Sequence, residues 1–126
     1  MGRSRFRDLP DTRAQGRLGE DEAEQWMVER GYRILERNYS CRSGEIDRIA
    51  ELGGVLCFVE IKARANRAFG EAVEAISLKK QRRIARAASY YLARNPTDQP
   101  CRFDVLALDL EAGGWVFTWV PDAFQL

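Results

Sequence analysis

The chain contains no histidine. That absence excludes Ser-His-Asp and Cys-His catalysis, zinc sites built on imidazole, and imidazole acid–base work. Cysteine is scarce: Cys41, Cys57 and Cys101 are odd in number, widely spaced and without a CxxC pair. Neither a zinc knuckle nor a complete disulfide framework is expected, and this usage suits a reducing compartment. No apolar run approaches a membrane span, and the arginine-rich start lacks the hydrophobic core of a secretory signal. The expectation is a cytoplasmic chain with no membrane partner. Internal repeats are also missing, as is low-complexity sequence beyond the first residues.

With 126 residues, the chain has room for one real core and little for a second. Its formal net charge of +1 hides an uneven distribution. Arg3, Arg5, Arg7, Arg13 and Arg17 crowd the start, and Lys79, Lys80, Arg82, Arg83 and Arg86 crowd a later segment with no acid among them. Residues 1–15, almost without apolar content, read as a flexible basic arm, either solvated or touching nucleic-acid phosphates. Residues 16–126 read as a single domain.

The stretch Gly44 to Arg64 organises the rest. It reads as two strands joined by a tight turn at Leu52-Gly53-Gly54. In the second strand, alternation puts Val55, Cys57, Val59 and Ile61 on one face and Leu56, Phe58, Glu60 and Lys62 on the other. A strand apolar on both faces belongs in the middle of a sheet, yet this one ends with a carboxylate and an ammonium. Isolated buried charges are costly, so mutual pairing, a metal ion or a solvated cleft must compensate them. Glu45 and Asp47 share a face of the first strand, and the hairpin can bring Asp47 toward Glu60. Two carboxylates converging beside a lysine can seat a hard divalent cation and an activated water.

Around this hairpin the pattern is helix, three strands, helix, two strands. Leu18 to about Arg30 has helical spacing, acids in its first turn and Gly31 as its stop. Glu20 and Glu24 lie on one face of it, as dipole compensation or as a third acid for the site. Tyr32 to Tyr39 alternates as a strand, and Ser40 to Gly44 supplies turn residues. Ala65 to Ala75 reads as an exposed loop beside Lys62. Ser77 caps a helix through Arg94 with Ile84, Ala87, Ala88, Tyr91 and Leu92 as its buried stripe and Asn95-Pro96 as its stop. The cation cluster on its first half, lacking acids at i+4, favours phosphate binding over a merely solvated face. Arg102 to Leu110 and Trp115 to Val120 are two further strands, the last ended by Pro121. Trp115, Phe117, Trp119 and Phe124 read as core or edge cover rather than a base-stacking platform.

An acid on the first helix, Asp47 on the second strand and Glu60-Ile61-Lys62 on the third resemble the PD-(D/E)xK nuclease superfamily. More closely, GRLGEDEAEQWMVERGYRILERNYSCRSGEIDRIA, FVEIKAR, the Lys-Lys-Gln-Arg-Arg helix and CRFDVLALD resemble the YraN family of small bacterial proteins, similar in fold to archaeal Holliday-junction resolvases. The resemblance runs from Gly16 to Asp109. It implies a restriction-endonuclease-like αβββαβ core with a mixed sheet and an additional C-terminal strand. It further implies Asp47, Glu60 and the carbonyl of Ile61 as ligands of Mg²⁺ or Mn²⁺, Lys62 as the motif lysine, and Glu20, or less well Glu24, as the helix acid. One departure stands out: the superfamily's proline before the first acid is missing, and Glu45-Ile46-Asp47 leaves Glu45 as a spare carboxylate.

These residues together set the expectation of a metal-dependent DNA endonuclease, selective for branched DNA. Lys79, Lys80, Arg82, Arg83 and Arg86 would hold the backbone of the nucleic acid, and a homodimer would match paired sites. Two rivals stand beside it. One is a nucleic-acid-binding protein that keeps the fold and cleaves nothing. The other is a purely structural ion-pair cluster of Asp47, Glu60 and Lys62.

Overall fold

The computed structural model of the chain describes residues 12–64 and 76–125. Within them run α1 (Thr12–Glu29), β1 (Arg33–Cys41), β2 (Gly44–Leu52), β3 (Val55–Arg64), α2 (Leu78–Arg94), β4 (Cys101–Glu111) and β5 (Gly114–Phe124). The expected loop at 65–75 and residues 1–11 of the expected arm lie outside the described residues. The five strands form one mixed sheet in sequence order. Neighbours are antiparallel except at β3 and β4, which run parallel. Parallel neighbours need a long crossover, and α2 lies in the connection between them.

The alternation of β3 sorts the chain into two cores. Cys57, Val59 and Ile61 join Ala23 and Met27 of α1 with Leu106 and Leu108 of β4. Leu56 and Phe58 join Ile84, Ala87, Ala88 and Tyr91 of α2 with Val105 and Ala107. A run apolar on both faces needs cover on both faces, and the central position of β3 between the helices provides it. α2 begins where Ser77 accepts the Lys80 backbone N–H at 3.1 Å, and it stops at Asn95, whose N–H closes on the Tyr91 carbonyl.

Two glycines set how closely the helices approach the end of the sheet. A Cβ on Gly44 would come within 1.9 Å of the Arg83 carbonyl oxygen, and one on Gly19 within 2.8 Å of the Ala63 Cβ. Both contacts draw a helix onto the residues flanking Asp47 and Glu60.

The structure corrects two expectations. α1 starts at Thr12 rather than Leu18, so its first turn carries no acid, and dipole compensation does not account for Glu20 and Glu24. β5 does not stop at Pro121 but continues to Phe124. Proline lacks the N–H of a ladder, and β5 is an edge strand where that loss is tolerated. The ladder shifts register between Phe103 and Val105, and there the buried Asp104 carboxylate accepts the Asp122 N–H at 2.9 Å. The C-terminal aromatics pack as cover: Phe117 stacks on Trp26 of α1, and Phe124 stacks on Phe103. All three cysteines are free. Among the described residues, no helix is long and apolar enough to cross a membrane.

Candidate metal centre and its cationic surroundings

The ladder between β2 and β3 ends at the Arg48–Val59 pair, although both strands continue past it. The next inward-facing donor, the N–H of Ile61, is taken by the Asp47 side chain, with Oδ2 at 2.8 Å. A local break in alternation frees Asp47 for this contact. Ile46 and Ile49, three residues apart, lie in the same core, while Ala50 lies in the other. Strict alternation would put Ile46 and Ile49 on opposite faces. On β1, between the Arg37–Arg48 and Tyr39–Ile46 pairs, Asn38 adopts a left-handed φ of 51°. Asparagine is among the few residues that accept that conformation readily.

Glu60 follows Leu56 and Phe58 on the α2 face and is 6% exposed. Its Oε2 lies 3.6 Å from the Lys80 ammonium. Its Oε1 is buried with no hydrogen-bond partner among the described residues. Burial, then the charge of Asp47, pushes the Glu60 carboxyl up to about 9. Burial and the Asp47 charge thus favour the protonated form of Glu60, and one proton shared between the two carboxylates would leave a single negative charge facing Lys80.

Further charges behind this pair tie it to α1. Arg48, only 3% exposed, donates through Nη1 to the Asp47 carbonyl at 2.7 Å and to Glu20 Oε1 at 3.0 Å, and through Nε to Glu24 Oε1 at 2.7 Å. Arg37 grips Glu24 from outside with two bonds of 2.7 and 2.8 Å. The two acids therefore differ. Burial and then Asp47 raise the Glu20 carboxyl above its ordinary value, whereas Arg37 outweighs burial and lowers that of Glu24. Glu20 is thus the acid of α1 on which the Asp47 charge acts, and Glu24 is a partner of two arginines. Sequence reasoning passed over Arg48. Its clue was the sequence Ile46-Asp47-Arg48-Ile49, which interrupts the period of a strand otherwise buried.

The lysines divide differently from expectation. Lys62 is exposed and makes no hydrogen bond or ion pair among the described residues. Lys80, grouped by sequence with the cations expected to meet phosphates, instead turns inward to Glu60 and to Glu45 Oε1, which is 3.4 Å away. Lys79, Arg82, Arg83 and Arg86 remain on the exposed face of α2. Ile61 buries its side chain in the α1 core and spends its N–H on Asp47.

The donor set fits a hard divalent cation. Asp47 is anchored through one oxygen, and Glu60 presents an oxygen without a donor beside it. Among the described residues, no three His, Cys, Asp or Glu side chains close on one point. The pair would therefore need backbone or water oxygens to complete a shell, as is usual for Mg²⁺.

The family model described as "Uncharacterised protein family UPF0102" matches residues 19–108. A UPF0102 protein of Hahella chejuensis is 46% identical over 111 residues, covering 87% of this chain and 89% of that protein. A UPF0102 protein of Symbiobacterium thermophilum is 50% identical over 99 residues, covering 78% and 84%. One from Cupriavidus metallidurans is 44% identical over 121 residues, covering 95% and 87%. Among solved structures, Pyrococcus furiosus SfsA in complex with Ca²⁺ is a distant likeness, with a TM-score of 0.36 and 17% identity, covering 90% of this chain and 64% of that one.

Proposed function

The chain belongs to the UPF0102 (YraN) family, and from its carboxylate site we propose that it is a divalent-metal-dependent DNA endonuclease on a restriction-endonuclease-like αβββαβ core. One observation carries the reading: Glu60 is buried against Asp47 with an oxygen that meets no donor among the described residues. A structural carboxylate is normally satisfied by hydrogen bonds or a paired cation, and this one is satisfied only in part. Asp47, Glu60 and the carbonyl of Ile61 would hold Mg²⁺ or Mn²⁺. Such an ion supplies charge stabilisation at a phosphate oxygen and lowers the pKa of a bound water.

The chain's own residues supply the rest. The Ile61 N–H fixes the Asp47 carboxylate, and Arg48 fixes the backbone behind it. Lys62, exposed at the end of β3, is free to meet a phosphate or orient a nucleophile. Lys79, Arg82, Arg83 and Arg86 form a cationic face that would grip the polynucleotide backbone without reading its sequence, so binding should weaken steeply with salt. The test is incubation of purified protein with four-way junction, nicked and linear DNA in Mg²⁺ or Mn²⁺. Cleavage that is lost in Asp47→Ala and Lys62→Ala supports the reading. No cleavage by wild type, or cleavage that survives both substitutions, overturns it.

A second reading, nucleic-acid binding without cleavage, is favoured by the position of Lys62, which is not drawn to the acid pair. It expects salt-sensitive DNA binding that is indifferent to Mn²⁺ and to Asp47→Ala.

A further inference from the structure

Lys80 is the one cation of the α2 cluster that does not face outward. Along the helix it lies at i−4 from Ile84 and i−7 from Ala87, which continues the buried stripe backward by one turn. Its ammonium reaches Glu60 Oε2 at 3.6 Å and Glu45 Oε1 at 3.4 Å. It therefore touches one oxygen of the very carboxylate whose other oxygen has no partner among the described residues. Three carboxylates, Glu45, Asp47 and Glu60, act on this single ammonium. It is the only lysine that the described residues bring onto the acid pair.

We propose that Lys80 is the resident counter-cation of the carboxylate site, held on Glu60 until a divalent cation takes its place and then released along α2 toward the phosphates of a bound strand. This rests on the metal-site reading of Asp47 and Glu60. A divalent cation on those oxygens would sit a few ångström from the ammonium, and like charges at that range repel. The flexible four-carbon stem lets the ammonium swing away without moving the helix. Glu45, half-exposed beside it, gives it an intermediate resting place. Its neighbours Lys79 and Arg83 already face solvent, so the released charge would join an existing cationic surface. Metal occupancy and affinity for a polyanion would thereby be coupled through one side chain.

The experiment is calorimetric titration of the full chain with Mn²⁺ alone, for wild type, Lys80→Met, Lys80→Arg and Lys79→Met, with thermal unfolding of each as a fold control. Removing a competing charge a few ångström from the ion should tighten Mn²⁺ binding about tenfold in Lys80→Met. Lys80→Arg, which keeps the charge, should stay near wild type. Lys79→Met, which removes an equal charge from the exposed face, should change the affinity less than about twofold, as expected for a solvent-screened charge. Unchanged or weakened binding in Lys80→Met, with folding intact, overturns the proposal while leaving the metal site standing. Equal tightening in Lys79→Met overturns it too, because general electrostatics would then suffice. If wild type itself takes up no Mn²⁺, the metal-site reading falls and this inference falls with it.

Discussion

Replacing Glu60 with glutamine changes one oxygen for an amide of the same shape, and the sign of the resulting stability change separates a cation seat from a structural ion pair. In the folded chain, burial and the Asp47 charge hold the Glu60 carboxyl protonated up to about 9, against an ordinary value of 4.5. The folded state thus keeps a proton that the unfolded chain has released. Its stability is present in full below about pH 4.5 and falls as pH rises toward 9. At neutral pH that loss is at most about 3 kcal/mol, taking about 1.4 kcal/mol per pH unit. A glutamine is neutral at every pH, and its amide can donate to Asp47. In EDTA, Glu60→Gln should therefore unfold at a higher temperature than wild type at pH 7, by up to roughly 10 °C, and the difference should vanish near pH 4. The same substitution should abolish Mn²⁺ binding, since an amide is a poor ligand for a hard cation. A lower unfolding temperature at pH 7 would refute the reasoning. It would mean that Asp47 and Glu60 are both ionised at neutral pH and share no proton.

Two further outcomes follow from the same geometry. Because a cation must displace the Glu60 proton, Mn²⁺ affinity in wild type should rise about tenfold per pH unit from pH 6 to 8 and flatten near 9, with about one proton released on binding. A pH-independent affinity by calorimetry would count against the shared proton. Arg48→Met removes the buried donor that joins Glu20, Glu24 and the Asp47 carbonyl, and should cost about 2 kcal/mol by urea unfolding. That is less than for a fully buried pair, because both carboxylates reach solvent; an unchanged midpoint would show the clamp to be incidental.

The sequence was most legible where one physical constraint dominated. β3 announced itself because the run from Val55 to Val59, apolar on both faces, can be buried only at the centre of a sheet, and Ser77 and Asn95 bounded α2 because helix ends need partners for their orphan groups. Asp47 and Glu60 could be brought together from a two-residue turn and an antiparallel register. What stayed hidden depended on tertiary detail. Lys80 was read with its cationic neighbours because composition outweighs periodicity in a dense charge run, although its spacing from Ile84 and Ala87 placed it on the buried side. Glu20 and Glu24 looked like first-turn acids because the six helical residues before Leu18 are mostly polar and show no apolar stripe. The partner that explains them, Arg48, is distant in sequence. Pro121 was read as a strand end, but proline ends only strands that need its missing N–H.

Crystals of the chain grown or soaked in Mn²⁺ and measured at the manganese absorption edge locate the ion directly. One anomalous peak is expected within coordination distance of both Asp47 and Glu60, with the Lys80 ammonium moved off Glu60. Absence of a peak there at saturating Mn²⁺, with Lys80 still seated on the carboxylate, would contradict it.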